Sequence, residues 1–122
     1  MDATMLARYG GLPVIARVVL GFYDRVLSSD DLKGYFAGAD MRRLVDHQAR
    51  FIASLMGGPA SYTGEYLRDV HAHLDIDTPA FEAMMGLLEE SLREARFAAG
   101  DVEAIMAEMR ARAPYVVTRA PA

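Results

Sequence analysis

Three polar side chains fall where helical spacing calls for apolar ones. Tyr23 shares a stripe with Ile15, Val19, Phe22 and Val26, and the neighbours His47 and Gln48 share one with Leu44, Phe51, Ile52 and Leu55. An inward-facing phenol, imidazole or amide needs a hydrogen-bond partner, because leaving one unsatisfied costs about 1–3 kcal/mol. Backbone or water can satisfy each separately, but three on inward faces point to a shared polar site. The other histidines, His71 and His73, are two positions apart. A helix turns such a pair in different directions, so they do not grip one ion together. Either one also suits an ordinary surface or helix-terminal histidine.

The elements that must position these groups read as helices throughout, since apolar residues recur at three and four positions. A short helix spans Asp2 to Tyr9 and stops at Gly10-Gly11. Pro13 suits the first turn of a second helix running to about Leu27. Ser28-Ser29-Asp30-Asp31 is a polar break before a helical turn with Tyr35 and Phe36. Asp40 caps a third helix that Gly57-Gly58-Pro59 ends, and a loop through Tyr62-Thr63-Gly64 leads to a short segment ending near His71. Two long helices follow, one after Thr78-Pro79 with Phe81, Met84, Met85, Leu88 and Leu92, and one from Asp101 through Val116. No repeat, low-complexity tract or linker appears, so residues 1–122 are expected to form one domain.

Composition narrows the chemistry. The absence of Cys removes disulfides, iron–sulfur clusters and thiolate zinc sites, and a multi-histidine cage would consume nearly all three His. A net charge of -4 without any basic block disfavours nucleic acid and anionic membrane surfaces as partners. No stretch approaches the roughly 18 apolar residues of a membrane span, and no leader pattern opens the chain, so a cytoplasmic protein is expected. Yet 52% of residues are hydrophobic, a count without Gly. Including Gly and omitting Tyr gives roughly 56%, above the usual 45–50%. That surplus needs something to cover.

A specific resemblance accounts for these features. Tyr9-Gly10-Gly11, Phe22-Tyr23-Asp24-Arg25-Val26-Leu27 and Tyr35-Phe36-Ala37-Gly38-Ala39-Asp40-Met41 are followed by His47-Gln48, Phe51 and Leu55-Met56-Gly57-Gly58-Pro59, then Tyr62-Thr63-Gly64 and Val70-His71. In this order and spacing the chain resembles a group I truncated haemoglobin over nearly its whole length. The resemblance implies an all-α fold, the two-over-two helical sandwich around a haem. A porphyrin supplies four nitrogens, so the protein need contribute only one axial histidine.

By that resemblance His71 is the proximal iron ligand, Phe36 packs on the porphyrin, and Leu44 stands where larger globins have a distal histidine. Tyr23 and Gln48 match the distal pair that donates hydrogen bonds to bound dioxygen. His47 matches a position from which some cyanobacterial members ligate the iron; the alternative is that it faces solvent or a propionate. Those relatives can attach haem through a histidine near the C-terminus, but Ala113-Pro114-Tyr115-Val116-Val117 has none, so a noncovalent haem b is expected. The sequence also shows no N-terminal extension of the kind some members carry, so any function of that arm is expected to be absent. Phe51, Ile52, Tyr62, Leu67, Val70, Leu74, Ile76, Phe81, Met84 and Leu88 are candidates to surround the porphyrin, and Arg43 and Arg68 to pair with its propionates.

The function implied is binding of dioxygen and other diatomic gases, nitric oxide and carbon monoxide among them, with oxidation of nitric oxide to nitrate as an associated activity. The latter needs electrons from a separate reductase. Tight binding suits bulk oxygen transport poorly. A different class is a redox or ligand-sensing module ligated by both His47 and His71, and a third is a helical module without haem.

Overall fold

The structure is a computed structural model that describes residues 4–59 and 62–118. Helix α1, Met5–Arg8, starts where the Thr4 hydroxyl accepts the Ala7 N–H at 3.1 Å. It is shorter than the helix expected from Asp2; residues 1–3 lie outside the described residues. Gly10 and Gly11 turn the chain with φ of 102° and 85°, in the region that favours glycine. A Cβ on Gly10 would also meet Val14 Cγ2 at 2.9 Å. Helix α2 spans Leu12–Leu27 with Pro13 in its first turn, where no N–H is missed.

A 3-10 turn over Lys33–Phe36 leads to α3, Met41–Leu55, which Asp40 caps by accepting the Arg43 N–H. Thr63 likewise caps α4, Gly64–His71, and a 3-10 turn over Ala72–Leu74 follows. Helix α5, Thr78–Glu94, is capped by Asp77. Helix α6 is Ala99–Ala111 and α7 is Ala113–Val116. One continuous helix from Asp101 to Val116 was the sequence expectation, and it breaks at Arg112. Pro114 supplies the reason: it donates no N–H, and its ring clashes with the carbonyl four residues back.

Helix α2 packs on α3 and α5, and α6 packs on α5 and α3. Two pairs of helices therefore lie across each other, the two-over-two arrangement, and the described residues contain no strand. Ile15, Val19, Val26, Leu92 and Val102 are wholly buried at its centre. Burying one such side chain contributes about 1.5–3 kcal/mol. Arg25, which helical spacing sets opposite the apolar face of α2, reaches across to α5, donating to Ser91 Oγ at 2.8 Å and pairing with Glu94. No helix among the described residues is long and apolar enough to cross a membrane.

Ala98 has no side chain that can cap α6, and Tyr9 supplies an oxygen in its place. The Tyr9 hydroxyl accepts the Ala98 N–H at 2.9 Å, donates to Asp101 at 2.6 Å, and its ring stacks on Phe97. Arg8 adds two bonds to the same carboxylate. Arg8 and Tyr9 hold the Asp101 carboxyl below its ordinary range. Stability from that pairing is complete above the unfolded value of about 3.9 and disappears as pH falls through the lower folded value. Tyr9→Phe is expected to cost about 1 kcal/mol in urea unfolding at neutral pH. Asp101→Asn should remove part of the acid sensitivity; an unchanged acid transition in that variant would exclude the clasp as its source.

Candidate functional site

The four-helix sandwich leaves a cavity of about 670 Å³, within the roughly 300–1,000 Å³ typical of small-molecule and cofactor sites. Helix α2 contributes Phe22 and Tyr23, and the 3-10 turn after it Phe36. Leu44, His47, Gln48, Phe51 and Ile52 come from α3. Beyond Tyr62, α4 contributes Leu67, Val70 and His71, the chain between α4 and α5 contributes Leu74 and Ile76, and α5 contributes Phe81, Met84 and Leu88. Aliphatic, aromatic and thioether groups dominate this wall, so an occupant must be largely apolar.

Two polar arrangements interrupt it. Tyr23 is 3% exposed, with Phe36 edge-on to its ring at 5.5 Å between centroids. Burial pushes its phenol up, and a hydrogen bond from Gln48 pulls it part of the way back. The Gln48 amide is thus the polar neighbour of the Tyr23 phenol on this wall. The phenol keeps its proton and can give it to something else. Both residues sit on inward stripes because α2 and α3 pack against each other along them.

His71 is the last residue of α4, and its Nδ1 lies 2.6 Å from the Leu67 carbonyl one turn earlier. A carbonyl only accepts, so Nδ1 carries the hydrogen and Nε2 keeps its lone pair. Burial lowers the His71 pKa, the Leu67 carbonyl opposes that, and nearby His73 lowers it further. The imidazole is therefore neutral at physiological pH, in the protonation state that can ligate a metal.

Seventeen of the sequence-derived candidates thus line one cavity. His47 does so from an exposed position, in contrast to the burial of Tyr23. Arg43 is also exposed at the cavity edge. Arg68 is the exception: its guanidinium lies over the Tyr115 ring, 5.5 Å from the centroid, and it does not reach the cavity. One residue beyond buried Leu67, the helix has turned it about 100° away.

The cavity also includes residues that sequence reasoning left out, namely Phe22, Asp46, Arg50, Tyr66, Met85, Met109, Arg112 and Val116. Phe22, Met85, Met109 and Val116 carried a signal, since each lies on an apolar helix face, but that signal is the same for core and cavity lining. Asp46 and Arg50 pair at 3.2 Å, four apart on α3, and read as a solvated face. Nothing in the sequence marks Arg112, whose place follows from the break at Pro114.

Among the described residues no group of three or more His, Cys, Asp or Glu could hold a metal ion. A metal in this cavity would have to bring most of its ligands, since the chain offers only the imidazoles of His71 and His47 there.

A two-over-two helical sandwich enclosing a large apolar cavity edged by such imidazoles is the architecture of a globin, and the bacterial-like globin family matches residues 4–117. The chain belongs to that family, and within it to the group I truncated haemoglobins. It is 34% identical over 116 residues to the group 1 truncated hemoglobin GlbN of Mycolicibacterium paratuberculosis, covering 95% of this chain and 85% of that one. Among solved structures it is similar to THB4 of Chlamydomonas reinhardtii, with a TM-score of 0.80, 28% identity and coverage of 93% and 94%. A Synechococcus 2/2 hemoglobin, solved in the cyanomet state with covalently attached heme, superposes with a TM-score of 0.87 over 96% of this chain and all of that one. At 22% identity that likeness speaks for the fold.

Proposed function

We propose that this chain holds a noncovalent haem b in the cavity, ligated by His71 Nε2, and binds dioxygen, nitric oxide or carbon monoxide with Tyr23 and Gln48 as hydrogen-bond donors. One observation carries the reading: a neutral imidazole with Nδ1 committed to Leu67 borders the same apolar cavity as the Gln48–Tyr23 pair. The residues fit the group, because the wall is apolar and the chain supplies one nitrogen ligand to a cofactor that carries four. None of the three histidines lies in α7, which suits noncovalent attachment. Bound haem supplies an iron centre that takes diatomic gases, and with dioxygen and nitric oxide together it supports nitrate formation, which consumes one electron that a separate reductase must return.

The chain's own work is orientation and polarity. Leu67 fixes the ring of His71 and makes Nε2 a better donor to a metal. Tyr23 and Gln48 are polar neighbours on one wall of the cavity, each with a hydrogen to offer an acceptor there, and Phe36 lies edge-on against the phenol ring. Arg43 offers a cation to a propionate, a surface pairing that contributes about 0–1 kcal/mol. A second reading rests on His47 lining the same cavity. In it both histidines ligate the iron, and the protein serves as a redox or ligand-sensing module.

Absorption spectra of the haemin-loaded protein, ferric and ferrous, test both readings. A histidine-ligated spectrum is expected, and His47→Ala should abolish any six-coordinate fraction. A spectrum indifferent to that change removes His47 from coordination, and a chain that takes up no haemin overturns the reading as a whole. Stoichiometric nitrate on mixing the dioxygen-loaded protein with nitric oxide supports the oxidation activity, and no reaction favours sensing.

A further inference from the structure

Helix α4 has little core of its own. Only Leu67 is buried among its eight residues, yet it ends in His71. Its partner is α7, and the two meet closely. A Cβ on Gly64 would lie 2.5 Å from the Tyr115 ring, so that ring rests directly on the α4 backbone, and Arg68 covers it one turn later. The chain after α7 then binds the segment beyond His71. The Thr118 N–H donates to the Ile76 carbonyl at 3.0 Å, and its hydroxyl donates to the Ala72 carbonyl at 3.4 Å. Gly64 and Arg68 precede His71, and Ala72 and Ile76 follow it.

We propose that the C-terminal segment 113–118 is a latch that sets where His71 presents Nε2 to the cavity, with Tyr115 and Thr118 as positioning residues. Because α4 buries only Leu67, on the cavity wall, its tilt is free unless a further contact fixes it, and the Tyr115 ring supplies that contact. Thr118 holds the other end, so the imidazole is clamped from both sides along the chain. The Tyr115 hydroxyl has no part in this; the face of the ring does. The proposal rests on His71 serving as the iron ligand.

The test uses the full-length chain loaded with haemin. Resonance Raman gives the iron–histidine stretch of the ferrous form, transfer to apomyoglobin gives the haemin loss rate, and circular dichroism reports helix content. Tyr115→Ala and Gly64→Ala are expected to shift or broaden the stretch and to speed haemin loss at least tenfold, whereas Tyr115→Phe keeps both near wild type. Tyr115→Leu, which retains bulk without an aromatic face, covers the case in which Tyr115→Ala fails to fold and should show the same shift. Tyr9→Phe, whose clasp lies at the start of α6, lowers stability and should leave the stretch unmoved. A wild-type stretch in Tyr115→Leu, or an equal shift in Tyr9→Phe, overturns the latch. If the wild-type chain takes up no haemin, the functional reading itself fails.

Discussion

His71→Ala is expected to release haemin faster than wild type by more than the about 10- to 100-fold that losing an outer-shell partner of a metal ligand costs. The loss is larger because the ligand itself goes, and the other imidazole on the cavity wall, His47, is an exposed side chain of α3. The Leu67 carbonyl returns to its place as an ordinary acceptor near a helix end, so the apo fold changes little. Apo helix content equal to wild type, together with fast haemin transfer, separates ligand loss from unfolding. Added imidazole should restore part of the binding, since it replaces the removed ring in the space left behind. Haemin retention equal to wild type, without added imidazole, would show that another group ligates the iron.

The second large effect concerns release of dioxygen. Two neutral hydrogen bonds at about 0.5–1.5 kcal/mol each correspond to about a 5- to 150-fold slower dissociation if they add. The geometry argues that they do not add. Gln48 and Tyr23 are polar neighbours, so removing either side chain changes the surroundings of the other. Tyr23→Phe and Gln48→Leu should each speed dissociation several-fold or more. The double variant should then fall short of the product of the two, a coupling that a double-mutant cycle measures directly. Equal dissociation rates in wild type and both single variants would exclude the pair as ligand donors. Because burial holds the phenol well above its ordinary range, the Tyr23 contribution should also be flat across neutral and mildly alkaline pH.

Much of the fold is legible in the chain. Asp40 and the Gly10-Gly11 pair mark element ends through local chemistry that needs no partner: a carboxylate that accepts a helix N–H, and residues that adopt positive φ without strain. The inward stripes of α2 and α3 follow from period alone, and they place Tyr23 and Gln48 before any packing is known, whereas only the family resemblance singles out His71. The final helix shows where local reading stops. Val102, Ile105, Met106, Met109 and Val116 keep helical spacing across a proline that breaks the backbone, so periodicity and covalent constraint disagree, and the constraint decides.

Side-chain destinations outside the stripes are of another kind. Arg25 and Arg68 look alike in sequence, yet one spans to α5 and the other lies on Tyr115, because each answers to a neighbour far along the chain. The same holds for Ala98, whose N–H is accepted by Tyr9 just beyond the first helix, and for Arg112, brought to the cavity by the bend. Residue types and spacing on their own determined the helices and the inward stripes that carry Tyr23 and Gln48, while the ordered motifs of the family resemblance singled out His71. Only the tertiary structure decided that these groups share one cavity and that α7 clamps the segment carrying His71. Those facts depend on contacts between residues distant in sequence, and no local propensity encodes such contacts.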